Sequence, residues 1–175
     1  MIAHTPHIRR AGREDVPLLA AMGKSTFWDT YASYHSDQNF VDYTESAFTP
    51  EVIAREMEEE DCTFFLVEEG QTPVAYMKLR RGRNPDCLPA DVPKLEIQRL
   101  YVLKEWQGKQ IGGQLIRHAL DTALAEQRKI VWLTAWPQNE AAIRFYQRQG
   151  FAISGTIGFV MKDLVEQDYV MSVFV

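Results

Sequence analysis

Apolar and polar positions follow two different periods along the chain, and the change from one to the other marks its elements. A short run from His7 to Ala11 reads as a strand and leads into a helical stretch that begins around Glu14 and Asp15, with Pro17 in its first turn. Between Phe27 and Phe48, seven aromatic residues (Phe27, Trp28, Tyr31, Tyr34, Phe40, Tyr43 and Phe48) lie among polar ones without a clean helical or strand period. They read either as packing under irregular loops or as a wall for a ligand. Thr49-Pro50-Glu51 opens a helix, with proline at its first position, that runs through Ile53 and Met57 to the acidic cluster Glu58–Asp61. Thr63–Glu68 and Val74–Arg80 predict a hairpin joined by Glu69–Pro73, and Arg81–Pro93, with three prolines and a glycine, predicts a surface loop.

From Leu95 onward the pattern sharpens. Strand Leu95–Val102, helix Ile111–Glu126, strand Ile130–Ala135, helix Glu140–Gln149, strand Ala152–Phe159 and a last strand Tyr169–Val175 follow in turn. Strands alternating with helices predict an α/β (α+β) fold: a central, partly parallel sheet with helices on its faces, preceded by an antiparallel hairpin.

Composition narrows the function classes. The 175 residues are 46% hydrophobic and 25% charged, with no internal repeat, low-complexity tract or Gly/Ser linker, so residues 1–175 read as a single domain. Lys and Arg total 19 against 24 Asp and Glu, and a net charge of -5 argues against nucleic acid as a partner. The acidic balance suits a cationic small molecule, or serves only solubility. Cys62 and Cys87 have no CxxC and no nearby His, so no zinc or redox motif is expected, only two buried or half-buried thiols in a reducing cytoplasmic setting. Met1–Arg10 carries His4, Pro6, His7, Arg9 and Arg10 where a signal peptide would need an apolar run, and no stretch approaches a membrane span.

The chemistry concentrates after the strand Leu95–Val102. The loop Trp106-Gln107-Gly108-Lys109-Gln110-Ile111-Gly112-Gly113 puts three glycines where a helix begins, so backbone amides can approach an anion and form a phosphate cradle. Charge-assisted bonds of about 1.5 to 3 kcal/mol each outweigh the helix dipole's roughly 0.3 to 1 kcal/mol. A Walker loop fails, because Gln114 stands where its Lys belongs and no Ser or Thr follows. A dinucleotide fingerprint fails as well, with Gln110 in a glycine position and Thr134-Ala135-Trp136 where an acidic residue belongs. Further on, Asn139 and Tyr146 lie seven residues apart, which places them on nearly the same helix face. Alone, the pair also reads as a helix cap and an amphipathic core residue.

Together these segments resemble the Gcn5-related N-acetyltransferases (GNAT). The likeness rests on Gln107-Gly108-Lys109-Gln110-Ile111-Gly112 after Leu100-Tyr101-Val102, on Asn139 through Tyr146, and on Gly150-Phe151. It covers about residues 60–160. A nearer likeness, to the PaiA-type bacterial spermine/spermidine acetyltransferases, rests on Leu95-Glu96-Ile97, Val131-Trp132-Leu133, Trp136 and the region Gly155–Met171. One departure is Gln110, which stands at the family's first motif glycine; if the position is left-handed, Gln costs about 1 to 2 kcal/mol.

The resemblance implies the GNAT fold: a mixed, mostly antiparallel sheet of six to seven strands, splayed near the cofactor site, with helices on both faces. Residues 1–60 would supply acceptor-side helices and loops, and residues 95–151 the acetyl-CoA-binding core. It implies direct acetyl transfer from acetyl-CoA to a primary amine, without metal. Amides of Gln107, Gly108, Lys109, Gln110, Ile111, Gly112 and Gly113 would hold the pyrophosphate, and Leu100, Tyr101 and Val102 would pair with the pantetheine arm. Asn139 would contact that arm, and Tyr146 would serve as the acid at the thioester sulfur. Glu96 is the candidate base, or else an ordinary exposed or ion-paired glutamate; Gln98 stands where related sequences often carry a second glutamate. The expected acceptor is a polyamine or another small cationic amine, with Asp42, Glu45 and the run Glu56–Asp61 able to contribute carboxylates. Other amine acceptors, or an acyl-CoA-binding regulator without catalysis, are the alternatives. A homodimer through pairing of the last strands stays open.

Overall fold

The computed structural model describes residues 6–35 and 37–175. Met1–Thr5 and Ser36 lie outside that range, so the readings of Met1–Arg10 and of Phe27–Phe48 are addressed except at those positions. The elements are β1 (His7–Arg10), α1 (Val16–Tyr31), α2 (Gln38–Ala47), α3 (Pro50–Glu58), β2 (Cys62–Glu69), β3 (Thr72–Arg80), β4 (Lys94–Val102), α4 (Ile111–Ala125), β5 (Ile130–Ala135), α5 (Glu140–Arg148), β6 (Ala152–Met161) and β7 (Leu164–Phe174). The seven strands are hydrogen-bonded in the order β1-β2-β3-β4-β5-β7-β6. The chain forms two compact units: one comprises the residues through Lys78 together with Arg99–Leu115, the other Leu79–Gln98 with Ile116–Val175.

In the first unit, β1 pairs antiparallel with β2 from His7↔Glu68 to Arg10↔Phe65. Leu19 and Met22 of α1 and Ile53 of α3 close over Phe64, Leu66 and Tyr76. Full burial of each such aliphatic side chain contributes roughly 1.5 to 3 kcal/mol. Thr49 caps α3 by accepting the Val52 N–H at 3.2 Å, as Thr-Pro-Glu predicted.

The aromatic stretch departs from the sequence reading, because most of it is helical. Phe27, Trp28 and Tyr31 lie on α1, Phe40 and Tyr43 on α2, and Phe48 just past its end. The α2 period is masked because its inward row reads Phe40, Tyr43, Thr44, Ala47, with a polar residue in an apolar slot. Thr44 is buried there because its hydroxyl donates to the Phe40 carbonyl at 2.8 Å. The rings pack on one another: Phe27 lies 5.7 Å from Phe40, 5.3 Å from Tyr43 and 5.4 Å from Phe48, centroid to centroid. Packing, the blander of the two readings, is what the geometry supports.

In the second unit, β4 and β5 pair in parallel over Lys94–Glu96 against Ile130–Trp132. β5 then pairs antiparallel with β7 from Ile130↔Phe174 to Ala135↔Tyr169, and β6 and β7 form a long hairpin. Both hairpin strands outrun the predicted Ala152–Phe159 and Tyr169–Val175, because polar residues such as the half-buried Glu166 and the exposed Gln167 are accommodated on an edge pair. The 81–93 loop lays Leu88 and Val92 over Ile130, Trp132, Val170 and Ile157. Gly155 makes this approach feasible: a Cβ there would fall 2.4 Å from that of Cys87. Cys87 itself is exposed, contrary to the expected burial, while Cys62 is buried. Lys94 is buried where the loop meets β4, and its ammonium donates to Val92 O at 2.8 Å and to Asn84 Oδ1 at 3.0 Å.

Candidate active site

The glycine loop belongs to the first unit. Gly108 and Gln110 both take left-handed backbone, with φ of 78° and 65°. Left-handed residues at alternate positions turn successive amides toward a common point, the geometry of an anion-binding concavity. Gln110 thus occupies the strained conformation considered from sequence, and it is exposed. A Cβ at Gly108 would meet nothing within 4 Å, so the approach to its backbone is open. The first intrahelical bond of α4 runs from Gln114 N to Gln110 O at 3.1 Å, which leaves the Ile111, Gly112 and Gly113 amides at the helix entrance without an intrahelical acceptor. Gln107 donates from Nε2 to Val102 O at 3.1 Å, tying the loop to the end of β4. Lys109 rests its ammonium 4.0 Å from the centroid of the Trp106 ring. Leu100, Tyr101 and Val102 lead into this loop, and Tyr101 is fixed by an edge contact with Tyr76 at 5.4 Å. The loop fits a phosphate group by backbone conformation, exposure and available donors.

Several of the carboxylates considered for a cationic acceptor in this unit are engaged elsewhere. Glu56 holds Arg99 at 2.6 Å and the buried Lys78 at 3.1 Å, Glu45 holds Lys24 at 2.6 Å, and Glu58 pairs with Arg13. Asp42 accepts from Gln38 at 2.7 Å. Burial, reinforced by Arg99, pushes the Lys78 ammonium below its usual range. Glu59, Asp61 and Cys62 bring their ligand atoms within 4.8 Å of one another. Burial pushes the Cys62 thiol up to about 12, and it donates to Glu59 at 3.2 Å, so the set has the chemistry of a hydrogen-bonded thiol.

Asn139, Tyr146 and Glu96 belong to the second unit. Asn139 caps α5, its Oδ1 accepting the Ala142 N–H at 3.2 Å. Tyr146, half-buried on the same helix, packs against Phe145 at 5.2 Å and Phe151 at 6.1 Å. Burial pushes its phenol up to about 12, so it carries its proton throughout the physiological range. Glu96 is only 2% exposed and has an arginine on each oxygen: Arg80 Nε on Oε2 and Arg83 on Oε1, both at 3.1 Å. Arg83 in turn lies over the Trp132 ring at 5.6 Å. Glu96 is therefore buried and ion-paired with two guanidinium groups, not exposed.

The Acetyltransferase (GNAT) family model matches residues 25–151. This chain belongs to the GNAT family. The GNAT chain is 25% identical over 166 residues to an uncharacterized N-acetyltransferase in the pepI 3′ region of Lactobacillus delbrueckii subsp. lactis, covering 94% of each chain. It is 24% identical over 165 residues to the spermidine N(1)-acetyltransferase of Thermoplasma acidophilum, covering 91% of this chain and 97% of that one. The crystal structure of the PaiA N-acetyltransferase from Thermoplasma acidophilum in complex with coenzyme A is similar over 98% of this chain and 99% of that chain, with a TM-score of 0.79 and 21% identity. The GNAT fold is thereby shown, and the protein is an acetyl-CoA-dependent N-acetyltransferase. No helix among the described residues of this GNAT protein is long and apolar enough to cross a membrane.

The structure also brings forward residues that sequence reasoning passed over. Gln98 Oε1, Trp132 Nε1 and Asp168 Oδ1, all in the second unit, are buried without a hydrogen-bond partner among the described residues. Asp168 is 8% exposed. Burial first, and then the nearby Glu166, pushes its carboxyl up to about 6. The signal available in the sequence was an acid within a strand, Glu166-Gln167-Asp168, which alternation alone reads as a solvated face.

Proposed function

We propose that this acetyltransferase acts on a small cationic primary amine of the polyamine kind. The observation that carries the reading is the near full-length likeness to a spermidine N(1)-acetyltransferase. In this reading the Gln107–Gly113 amides take the coenzyme's pyrophosphate, supported by the left-handed backbone at Gly108 and Gln110. The backbone of Leu100, Tyr101 and Val102 pairs with the pantetheine arm. Asn139 uses its side-chain oxygen as a cap, so its NH₂ group is the part that donates to that arm.

Chemistry then requires three things. The ammonium gives up a proton, its nitrogen attacks the thioester carbonyl carbon, and the C–S bond breaks as the tetrahedral intermediate collapses. Tyr146 is the proposed donor to the departing sulfur. A phenol near 12 is a weak acid beside a thiol near 8.5, so outright transfer is uphill by several kcal/mol. Tyr146 therefore acts by hydrogen-bonding the developing thiolate, while the proton that finally resides on sulfur comes from the attacking nitrogen.

Free-thiol release with acetyl-CoA and a panel of amines tests the acceptor class. Spermidine or spermine is expected to lead the panel; turnover of amino acids or protein amino groups with inert polyamines would overturn it. Tyr146→Phe is expected to lower turnover about 100-fold and leave the acetyl-CoA dissociation constant within a factor of three. Equal loss in both would remove the donor role.

A further inference from the structure

We propose that Asp168 is the acceptor-side base, a carboxylate that pairs with the incoming ammonium and takes its proton. The proposal rests on the amine-acetylation reading above and names a residue for its first step.

Position comes first. Trp132 pairs with Glu96 on one side and with Ser172 on the other, so these three share one face of the sheet. Strand alternation places Val170 and Asp168 on that same face of β7. Ala135↔Tyr169 is the last pair between β5 and β7, and Asp168 is the next residue along β7. It therefore stands just beyond the carboxyl end of β5, the strand that runs parallel to β4 and leads into the helix carrying Tyr146. Carboxyl ends of parallel strands are where open α/β sheets place their ligands. Asp168 pairs with Ile157 on β6, which packs against the Leu88–Trp132–Val170 cluster, so the carboxylate sits at the margin of an apolar patch. Ile157 and Phe159 are half-exposed, and the face opens toward solvent at this end.

Pairing supplies the second argument. The other two buried acids among the described residues each hold an arginine, Asp15 with Arg9 and Glu96 with Arg80 and Arg83, and the half-buried Glu56 and Glu126 hold Arg99 and Arg81. Asp168 has no cation, and its buried oxygen accepts from nothing among the described residues. A carboxylate in that condition costs stability unless a ligand completes it, and a primary ammonium supplies both the charge and the donors. Gln98 Oε1 and Trp132 Nε1 are likewise buried without a hydrogen-bond partner among the described residues, but neither takes up a proton.

The proton balance closes. R–NH₃⁺ transfers one proton to the Asp168 carboxylate, giving R–NH₂ and a neutral carboxyl. The amine lone pair forms the N–C bond, and collapse breaks C–S. The second nitrogen proton ends on the thiolate, and the Asp168 proton leaves to solvent with the product amide and free coenzyme A. Glu166 is the charged group whose field reaches Asp168. Its strand neighbours Gly155, Ile157 and Phe159 on β6 and Thr134 and Val170 on the shared face carry no ionisable group.

The experiment compares wild type with Asp168→Asn, which keeps shape and removes the charge, and with Asp168→Glu. Asp168→Asn is expected to lower kcat/KM for the best amine at least 100-fold, to abolish the rise of kcat/KM through pH 6, and to leave acetyl-CoA affinity unchanged by calorimetry. Asp168→Glu is expected to restore part of the rate. Unchanged kcat/KM and pH profile in Asp168→Asn would overturn the proposal. In a parallel arm, spermidine binding is measured calorimetrically without acetyl-CoA. If wild type binds spermidine without turning it over, and Asp168→Asn abolishes that binding, the ammonium site stands while the transfer reading falls; if wild type neither binds nor turns over any amine of the panel, both fall.

Discussion

Glu96 and Asp168 face the same side of the sheet, are both almost fully buried, and differ in company. At Glu96 the fold has spent two arginines to neutralise one acid, and one of them is held in place by the Trp132 ring. At Asp168 it has supplied none among the described residues, and has set Glu166 nearby. The contrast separates two uses of buried charge. A compensated carboxylate holds strands and loop together, whereas an uncompensated one stores a demand for a cation.

The largest effect should come from breaking the compensated site. Glu96→Ala strands Arg80 and Arg83 beside apolar neighbours and should reduce unfolding free energy by about 3 kcal/mol, read by urea denaturation. A stable Glu96→Ala protein with turnover abolished would reverse the comparison and restore Glu96 as the base.

A smaller effect of opposite sign belongs to Asp168, and it depends on pH. Its carboxyl lies higher in the folded chain, at about 6, than in the unfolded chain at the usual 3.8. The folded state therefore binds the extra proton between those values, and the stability this brings is lost as pH rises through 6. Relative to Asp168→Asn, wild type should lose about 2 kcal/mol between pH 4 and pH 7. Asp15 and Glu126, held below their usual range by Arg9 and Arg81, act the other way: their contributions are present above the ordinary carboxylate pKa and lost as pH falls through their folded values. Parallel melting curves of wild type and Asp168→Asn across this range, with no change in their separation, would mean Asp168 is compensated after all.

The smallest effect concerns the loop of the first unit. Gln110→Gly relieves a left-handed glutamine and should stabilise the protein by less than about 1 kcal/mol, with acetyl-CoA affinity unchanged or a few-fold higher. A marked loss of affinity would show that the Gln110 side chain, and not only its backbone, takes part.

How much of this was legible beforehand follows from the physics at each position. The strands and helices from Lys94 to Arg148 were readable because period, caps and glycines agree there; Ile130–Ala135 matches residue for residue. The helix α2 was not, since Thr44 hides the apolar row and only its bond to Phe40 O makes burial acceptable. Spacing singled out the Gln107–Gly113 loop and the Asn139/Tyr146 pair, while the roles proposed for them come from the family resemblance. The pairing of Glu96 was open in the sequence, because its arginines come from 13 and 16 residues upstream and only the turn of the 81–93 loop brings both in. Asp168 was invisible because its distinguishing property, a buried oxygen without a hydrogen-bond partner among the described residues, exists only once the neighbours have been placed.

Lys94 carries a consequence for engineering. Its ammonium is gripped from below by the Val92 carbonyl and the Asn84 side chain, so one cation on β4 acts as a latch for the whole 81–93 segment. Anyone transplanting that segment from a relative to change acceptor preference must move Asn84 and Lys94 as a matched set, or the grafted flap will be left with a buried charge and nothing to grasp.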